Sequence, residues 1–284
     1  MKNNSFNLPT ALALHDLSCF GKCALTVIIP TLSAMGVQTV PIPTAFLSTH
    51  TGGFEGFYFE DLTDSMGKIA DHLEEVGVKA DAVYTGFLGS EKQISTVSAI
   101  IDRFGNDSLV LVDPVMGDDG RLYSTYNEEM VRGIKELCKK ADVITPNVTE
   151  ACLLTDIEYK DTADLTEKET VEYAKKLCSE LKKFGVKKIA ITGLHYNKNM
   201  VGTYGCDELG EFLYGREYIK KSYPGTGDLF ASVLLGELLR NKDFRTSVAR
   251  ASDFTKKVIE YSSQFDTPAR NGVAFEPFLS ELGK

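Results

Sequence analysis

Short apolar runs alternate along this chain with longer segments whose apolar residues recur every three to four positions. Residues 11–14 read as a first strand, which stops at the polar, glycine-containing stretch 15–21. Residues 25–35 carry apolar side chains at helical spacing before Gly36, although Pro30 removes a backbone donor inside that helix. Residues 37–43 read as a second extended segment. The alternation then sharpens: helix 62–76 before Gly77, strand 82–85 before Gly86, helix 93–104, and strand 109–112 before Asp113 and Pro114. Helix 128–140, a strand at Val143 and Ile144, helix 167–184 before Gly185 and strand 188–192 continue it. Stretches 201–206, 209–213 and 216–222, rich in glycine and aromatic residues, predict short antiparallel strands. Helical spacing returns over 228–239 and 246–262. Short strands separated by helices predict a mostly parallel sheet covered on both faces and wound by right-handed crossovers. No interior linker or repeat interrupts the pattern, so a single domain over 1–284 is expected.

Composition narrows the function classes. With 31 basic against 40 acidic residues the formal charge is −9, and no long basic block stands out, which argues against a nucleic-acid partner. Six cysteines form neither a dense disulfide framework nor a zinc motif by spacing, so reduced thiols in a cytoplasmic protein are expected. The first ten residues hold no signal-like apolar core, and no run has the length to span a bilayer.

The sharpest chemical signal is Pro224, Gly225, Thr226, Gly227, Asp228, set directly before an apolar helix. Glycines let backbone N–H groups approach an anion closely, and the helix turns its positive end toward them. Asp228 is either a first-turn charge at the helix start or a base for a hydroxyl attacking a phosphate held there. The chain has no P-loop and no dinucleotide fingerprint. Two further clusters follow apolar strands, where open parallel sheets form ligand crevices. One runs from Asp113 to Asp118 and the other from Thr145 to Glu150. Their oxygen donors suit Mg²⁺ and water beside phosphates, and suit turn and helix-cap roles equally. His15, Asp16 and Thr51 offer polar groups to a small molecule, and Phe87 offers an aromatic face.

Together the segments HDLSCFGKCA (15–24), STHTGG (48–53), TGFLGS (85–90), DPVMGDDG (113–120), TPNVTEA (145–151) and YPGTGDLFAS (223–232) resemble the ribokinase-like superfamily. Within it they are most similar to the pyridoxal, pyridoxine and pyridoxamine kinases. The resemblance implies a three-layer α/β/α sandwich and ATP-dependent phosphorylation of a 5′-hydroxymethyl group. It also implies Mg²⁺, room for a monovalent cation such as K⁺, and a homodimer. It casts Asp228 as the base, and Gly225, Thr226 and Gly227 as the anion hole. By the same resemblance Asp118 and Glu150 would organise the metal, while Asp113, Asn147 and Thr192 would belong to the nucleotide environment. His15, Asp16, Thr51 and Phe87 fall to the substrate side. His15 and Asp16 stand where many such kinases carry serine, which leaves the preferred vitamer open. A hydroxymethylpyrimidine kinase using the same phosphate site is the neighbouring alternative, and an inactive small-molecule binder is the separate one.

Overall fold

Strand residues sort by alternation onto two faces, and that sorting places the helices. In the computed structural model, which describes residues 8–283, Leu12, Leu14, Val83, Val110, Val112, Ile144, Ile189 and Ile191 face one apolar core. Their neighbours Ala11, Ala13, Ala82, Tyr84, Leu111, Val143 and Ala190 face the other. Both sides of the sheet are therefore apolar, and each buried Leu or Ile contributes about 1.5–3 kcal/mol against exposure.

The chain runs β1 (Thr10–Phe20), α1 (Leu25–Ala34), β2 (Gln38–Thr49), β3 (Phe59–Asp61), α2 (Thr63–Glu75), β4 (Ala82–Thr85), α3 (Glu91–Phe104) and β5 (Leu109–Val112). A small hairpin, β6 (Gly117–Asp118) and β7 (Arg121–Leu122), precedes α4 (Glu128–Cys138), β8 (Val143–Ile144), α5 (Val148–Thr155) and α6 (Glu167–Leu181). Strands β9 (Lys188–Tyr196), β10 (Met200–Asp207) and β11 (Gly210–Glu217) lead to α7 (Thr226–Leu239) and α8 (Phe244–Ser262). The nine-stranded sheet has the order β11-β10-β9-β8-β5-β4-β1-β2-β3. From β9 to β2 all pairs are parallel; β3, β10 and β11 add antiparallel edges. Helices α2 to α6 pack on one face and α1, α7 and α8 on the other, giving the expected α/β/α sandwich. The strand order reverses between β1 and β4, where such sheets open a ligand crevice at the strand C-terminal ends.

Several boundaries differ from the sequence reading, among them that of β9, which runs on from 192 to Tyr196. Strand β1 does not stop at Leu14 but continues through the polar residues to Phe20, with a register shift between His15 and Leu17 against β2. Strand β2 likewise runs on to Thr49, because the two strands pair beyond the rest of the sheet. The separate strand at 216–222 does not form. Arg216 and Glu217 complete β11, and Tyr218 then bonds back to the Asn199 carbonyl instead of starting a new strand. Helix 167–184 ends at Leu181 and tightens into a 3₁₀ turn through Phe184, closed by Gly185 at φ 86°. Pro30 does lie inside α1.

Helix starts follow local chemistry. Ser90, Asn127 and Asp243 cap α3, α4 and α8 through their side chains, and Thr166 with Glu169 forms a reciprocal capping box on α6. Because that box is exposed, Thr166→Ala should lower stability by about 1 kcal/mol. An unchanged denaturant midpoint would show that α6 starts without help from its cap.

Candidate active site

The β1–α1 connection is the floor of the site. Lys22 and Ala24 both take positive φ, 53° and 49°, and Gly21 reaches 111°. This turn presses the Lys22 carbonyl oxygen against Gly225, where a Cβ would collide with it, and Gly225 itself sits at φ 78°. Only glycine meets both demands. Gly225 precedes α7 without a side-chain cap, so the first-turn N–H groups of that helix face the crevice. A Cβ at Gly227 would meet open space, which leaves this side of the turn clear for a ligand.

Asp228, in the first turn of α7, accepts the Ala24 N–H at 2.8 Å. Its rim stays accessible, yet protein surrounds the carboxylate. Burial pushes it up to about 7, against the Ala24 bond, and the negative charges of Asp113 and Asp16 push the same way. Asp113 ends the parallel strand β5 and accepts the Thr145 hydroxyl at 3.0 Å. Burial raises it too. Glu150 is raised well above the ordinary carboxylate range by burial and then by Asp113, while accepting N–H groups from Asn147 at 2.8 Å and Met116 at 3.2 Å. Asp118, on the β6–β7 hairpin, is raised more modestly by burial. Four of the sequence-selected carboxylates thus converge at one end of the sheet, with Asp16 close enough to Asp228 to be felt there.

The remaining candidates are less uniform. Asn147 is tied into the fold: its Oδ1 caps α5 through Glu150 N–H at 2.8 Å and its Nδ2 donates to Gly117 O at 2.8 Å. Thr192, midway along β9, forms a parallel bridge to Asn147. Asp16 is buried and accepts the Ser18 hydroxyl at 2.7 Å. His15 has no exposed surface; its ring stands edge-on to Tyr84 at 4.3 Å, fills the space above Gly86, and leaves both nitrogens without a protein partner. Burial lowers it to about 3, so the ring is neutral at physiological pH. Phe87 packs edge-on to Tyr126 at 5.8 Å. Thr51 lines a cleft of about 450 Å³ together with Gly53, Phe54, Glu55 and Arg270.

Arg270 and Tyr123 carried no clear signal in the sequence, whereas His50 lies within the polar motif 48–53. His50 accepts the Gly52 N–H on Nδ1, so its proton sits on Nε2 and is donated to the Arg270 carbonyl at 2.7 Å. Arg270 returns to Gly53 O and lies over Phe54, tying the chain near its end to the segment after β2. Tyr123 follows the β6–β7 hairpin and feels Glu150, Asp118, Asp113 and Asp228 together. The stretch 116–126 is held by Asn147, by Thr149 on Gly120 N–H and by Tyr126 on Leu88, and 197–222 contains the β10–β11 hairpin.

In sequence and in fold the chain is similar to known proteins. Residues 25–272 match the family described as phosphomethylpyrimidine kinase. The chain belongs to that family. A pyridoxal kinase of Dictyostelium discoideum is 30% identical over 250 residues, covering 82% of this chain and 79% of its own. A hydroxymethylpyrimidine/phosphomethylpyrimidine kinase of Bacillus subtilis is 26% identical over 263 residues, 88% and 89% of the two chains. A protein from Bacteroides thetaiotaomicron, provisionally assigned as a phosphomethylpyrimidine kinase and solved with pyridoxal, superposes with a TM-score of 0.88 at 40% identity, covering 97% and 96%. Pyridoxal kinase from Lactobacillus plantarum does so at 0.87 and 31%, covering 97% of each chain. The ribokinase-like fold expected from the motifs is the fold of this kinase.

Two outcomes follow from the turn and its carboxylate. Between about pH 4 and 7 the native state holds the Asp228 proton that the unfolded chain releases, so this residue's contribution to stability declines as pH rises through that window. Asp228→Asn should therefore be more stable than the parent at pH 8, by roughly 1–3 kcal/mol, with the gain shrinking toward pH 4. Melting temperatures of the two proteins across pH 4–8 check this, and parallel curves would remove the buried charge as the cause. Gly225→Ala should lose about 1–3 kcal/mol from backbone strain alone, before its collision with Lys22 is counted; an unshifted melting temperature would show that the floor yields.

Proposed function

We propose that this kinase transfers the γ-phosphoryl group of ATP to the 5′-hydroxymethyl group of a vitamin B6 vitamer, pyridoxal, pyridoxamine or pyridoxine. The observation that carries the reading is Asp228, a carboxylate held near neutrality at the head of an uncapped helix, beside the glycine turn. A base is most effective when its pKa lies near the working pH, and a helix N-terminus is where a phosphate is best received. Relatives named pyridoxal kinase, and a 40%-identical structure solved with pyridoxal, support the choice of substrate.

In this reading Asp228 takes the hydroxymethyl proton as the oxygen attacks the phosphorus in line and ADP leaves. The N–H groups of Gly225, Thr226 and Gly227 receive the equatorial oxygens, and no phosphoenzyme is formed. Asp16, His15, Thr51 and Phe87 surround the heterocycle, with neutral His15 able to donate to or accept from it. Asp113, Asn147 and Thr192 flank the nucleotide phosphates.

The residues present also fit a divalent metal. Burial holds Asp113 and Glu150 above their ordinary range, an excess of negative charge that a cation relieves. Asp113, Asp118 and Glu150 do not close into a trio of direct ligands, which suits Mg²⁺, an ion that keeps several of its waters. Bound there, Mg²⁺ would supply positive charge to the phosphate oxygens. A monovalent cation such as K⁺, a homodimeric assembly, a single domain over 1–284 and a cytoplasmic setting complete the proposal. None of the helices among the described residues is long and apolar enough to cross a membrane.

The family description and the Bacillus subtilis relative favour a second reading, phosphorylation of hydroxymethylpyrimidine by the same machinery. Purified protein with Mg²⁺-ATP and each of pyridoxal, pyridoxine, pyridoxamine and hydroxymethylpyrimidine should yield a phosphorylated B6 product detectable by mass. Product from hydroxymethylpyrimidine alone would establish the second reading, and none from any acceptor would return the protein to a binding role. With the preferred acceptor, kcat should rise through about pH 7 as Asp228 ionises, and Asp228→Asn should cut it by roughly 10²-fold or more.

A further inference from the structure

A second cluster of chemically active side chains lies at the other end of the sheet. Cys206 of β10 pairs with Ile189 at the start of β9, so it sits at the N-terminal end of the parallel strands, away from the crevice. Across the β10–β11 hairpin its partner is Glu211, and Tyr204, two residues earlier, shares its face. Helix α6 brings Cys178 against them, with Lys182 one turn further on. The sulfurs of Cys178 and Cys206 and a carboxylate oxygen of Glu211 all lie within 4.8 Å of one another. Among the described residues no other trio of His, Cys, Asp or Glu converges in this way.

We propose that Cys178, Cys206 and Glu211 form a binding site for a thiophilic divalent cation, Zn²⁺. With Zn–S near 2.3 Å and Zn–O near 2.0 Å, tetrahedral ligands stand roughly 3.3–3.8 Å apart, so the present spacing needs to contract by at most about 1.5 Å. Both sulfurs are buried, whereas Glu211 reaches the surface, so the fourth position opens toward water on the carboxylate side. The Glu211 carboxylate is already oriented, accepting the Tyr204 hydroxyl at 2.8 Å and the Lys182 ammonium at 3.1 Å.

Charge is balanced as well. Two thiolates and one carboxylate carry three negative charges; Zn²⁺ offsets two, and the Lys182 ammonium, on a half-exposed stem free to swing off Glu211, offsets the third. As the two Zn–S bonds form, each S–H still present gives its proton to solvent, up to two in all, and no oxidant or reductant is involved. The hairpin edge would thereby be fastened to α6 by a metal, at a distance from the chemistry.

The test uses the reduced full-length protein, freed of metal by a chelator, with Co²⁺ as the spectroscopic probe and Zn²⁺ as its competitor. Expected are one Co²⁺ per chain, near-ultraviolet thiolate-to-cobalt absorption, visible bands of tetrahedral intensity, and displacement by one equivalent of Zn²⁺. Cys178→Ser and Cys206→Ser should each weaken binding by at least about 100-fold, and Glu211→Gln, a surface change that leaves the core intact, by about tenfold. Cys152→Ser, whose sulfur bonds Tyr173 elsewhere, should leave it unchanged. A protein silent to millimolar Co²⁺, or equal affinity in the parent and Glu211→Gln together with either serine variant, would overturn the site. Recovery of Cys178 and Cys206 as a disulfide by non-reducing peptide mapping, with no metal retained, would overturn it in favour of a redox pair.

Discussion

The site rests on one close approach, the Lys22 carbonyl against Gly225. Two backbone segments more than 200 residues apart meet there with no side chain between them. The contact requires left-handed conformations on both sides, at Lys22 and Ala24 and at Gly225. In return it aims the Ala24 N–H at Asp228 and holds the start of α7 over the end of β1, at the reversal of strand order. Strain of this kind persists only where surrounding packing imposes it, and α1 and α7 belong to the same apolar core. The sandwich is therefore the support that lets a few residues adopt unfavourable backbone angles at the one place where chemistry needs them.

From that arrangement an electrostatic constraint follows. Parallel strands end together, and here β5, the turn after β8 and the head of α7 all deliver carboxylates to one end. Asp113, Glu150 and Asp228 each hold a proton more firmly than an exposed carboxylate would, with burial the first cause in all three. Their hydrogen bonds to Thr145, to the backbone of Asn147 and Met116, and to Ala24 relieve part of this cost but leave the charge uncompensated. A region built this way is least stable when empty and fully ionised, and gains most when a cation and a polyanion enter together.

Much of this was legible along the chain because it is local. Apolar runs of four residues marked β4 and β5 to the residue, since strands buried on both faces have no polar position to blur them. The glycine turn before α7 was visible because glycine spacing and a helix start lie within five residues. Beyond Leu14 the pattern failed: His15, Asp16 and Ser18 read as a loop, yet they continue β1, because their polar groups are buried by pairing with β2 rather than by an apolar face. Asn147 and Glu150 allowed two readings from spacing, cap or ligand, and the fold uses both residues as a capping box while leaving Glu150 at the site. The His50–Arg270 bond spans 220 residues, and no local rule reports it.

The same division between local and assembled information separates the two ends of the sheet. At the C-terminal ends the donors are hard oxygens that sequence motifs announce in contiguous groups, the donor type that suits the proposed Mg²⁺. At the opposite end Cys178 and Cys206 lie 28 positions apart, in a helix and a strand that carry no motif, and only the antiparallel register that sets Cys206 against Glu211 makes a ligand set of them. Soft donors held at short range select a different ion from hard donors held loosely, so the two ends need not compete for the same metal even in one solution. The antiparallel edge β9-β10-β11 is what creates this second environment. It carries the chain back to the N-terminal end of the strands, where a purely parallel sheet would have left only crossover turns.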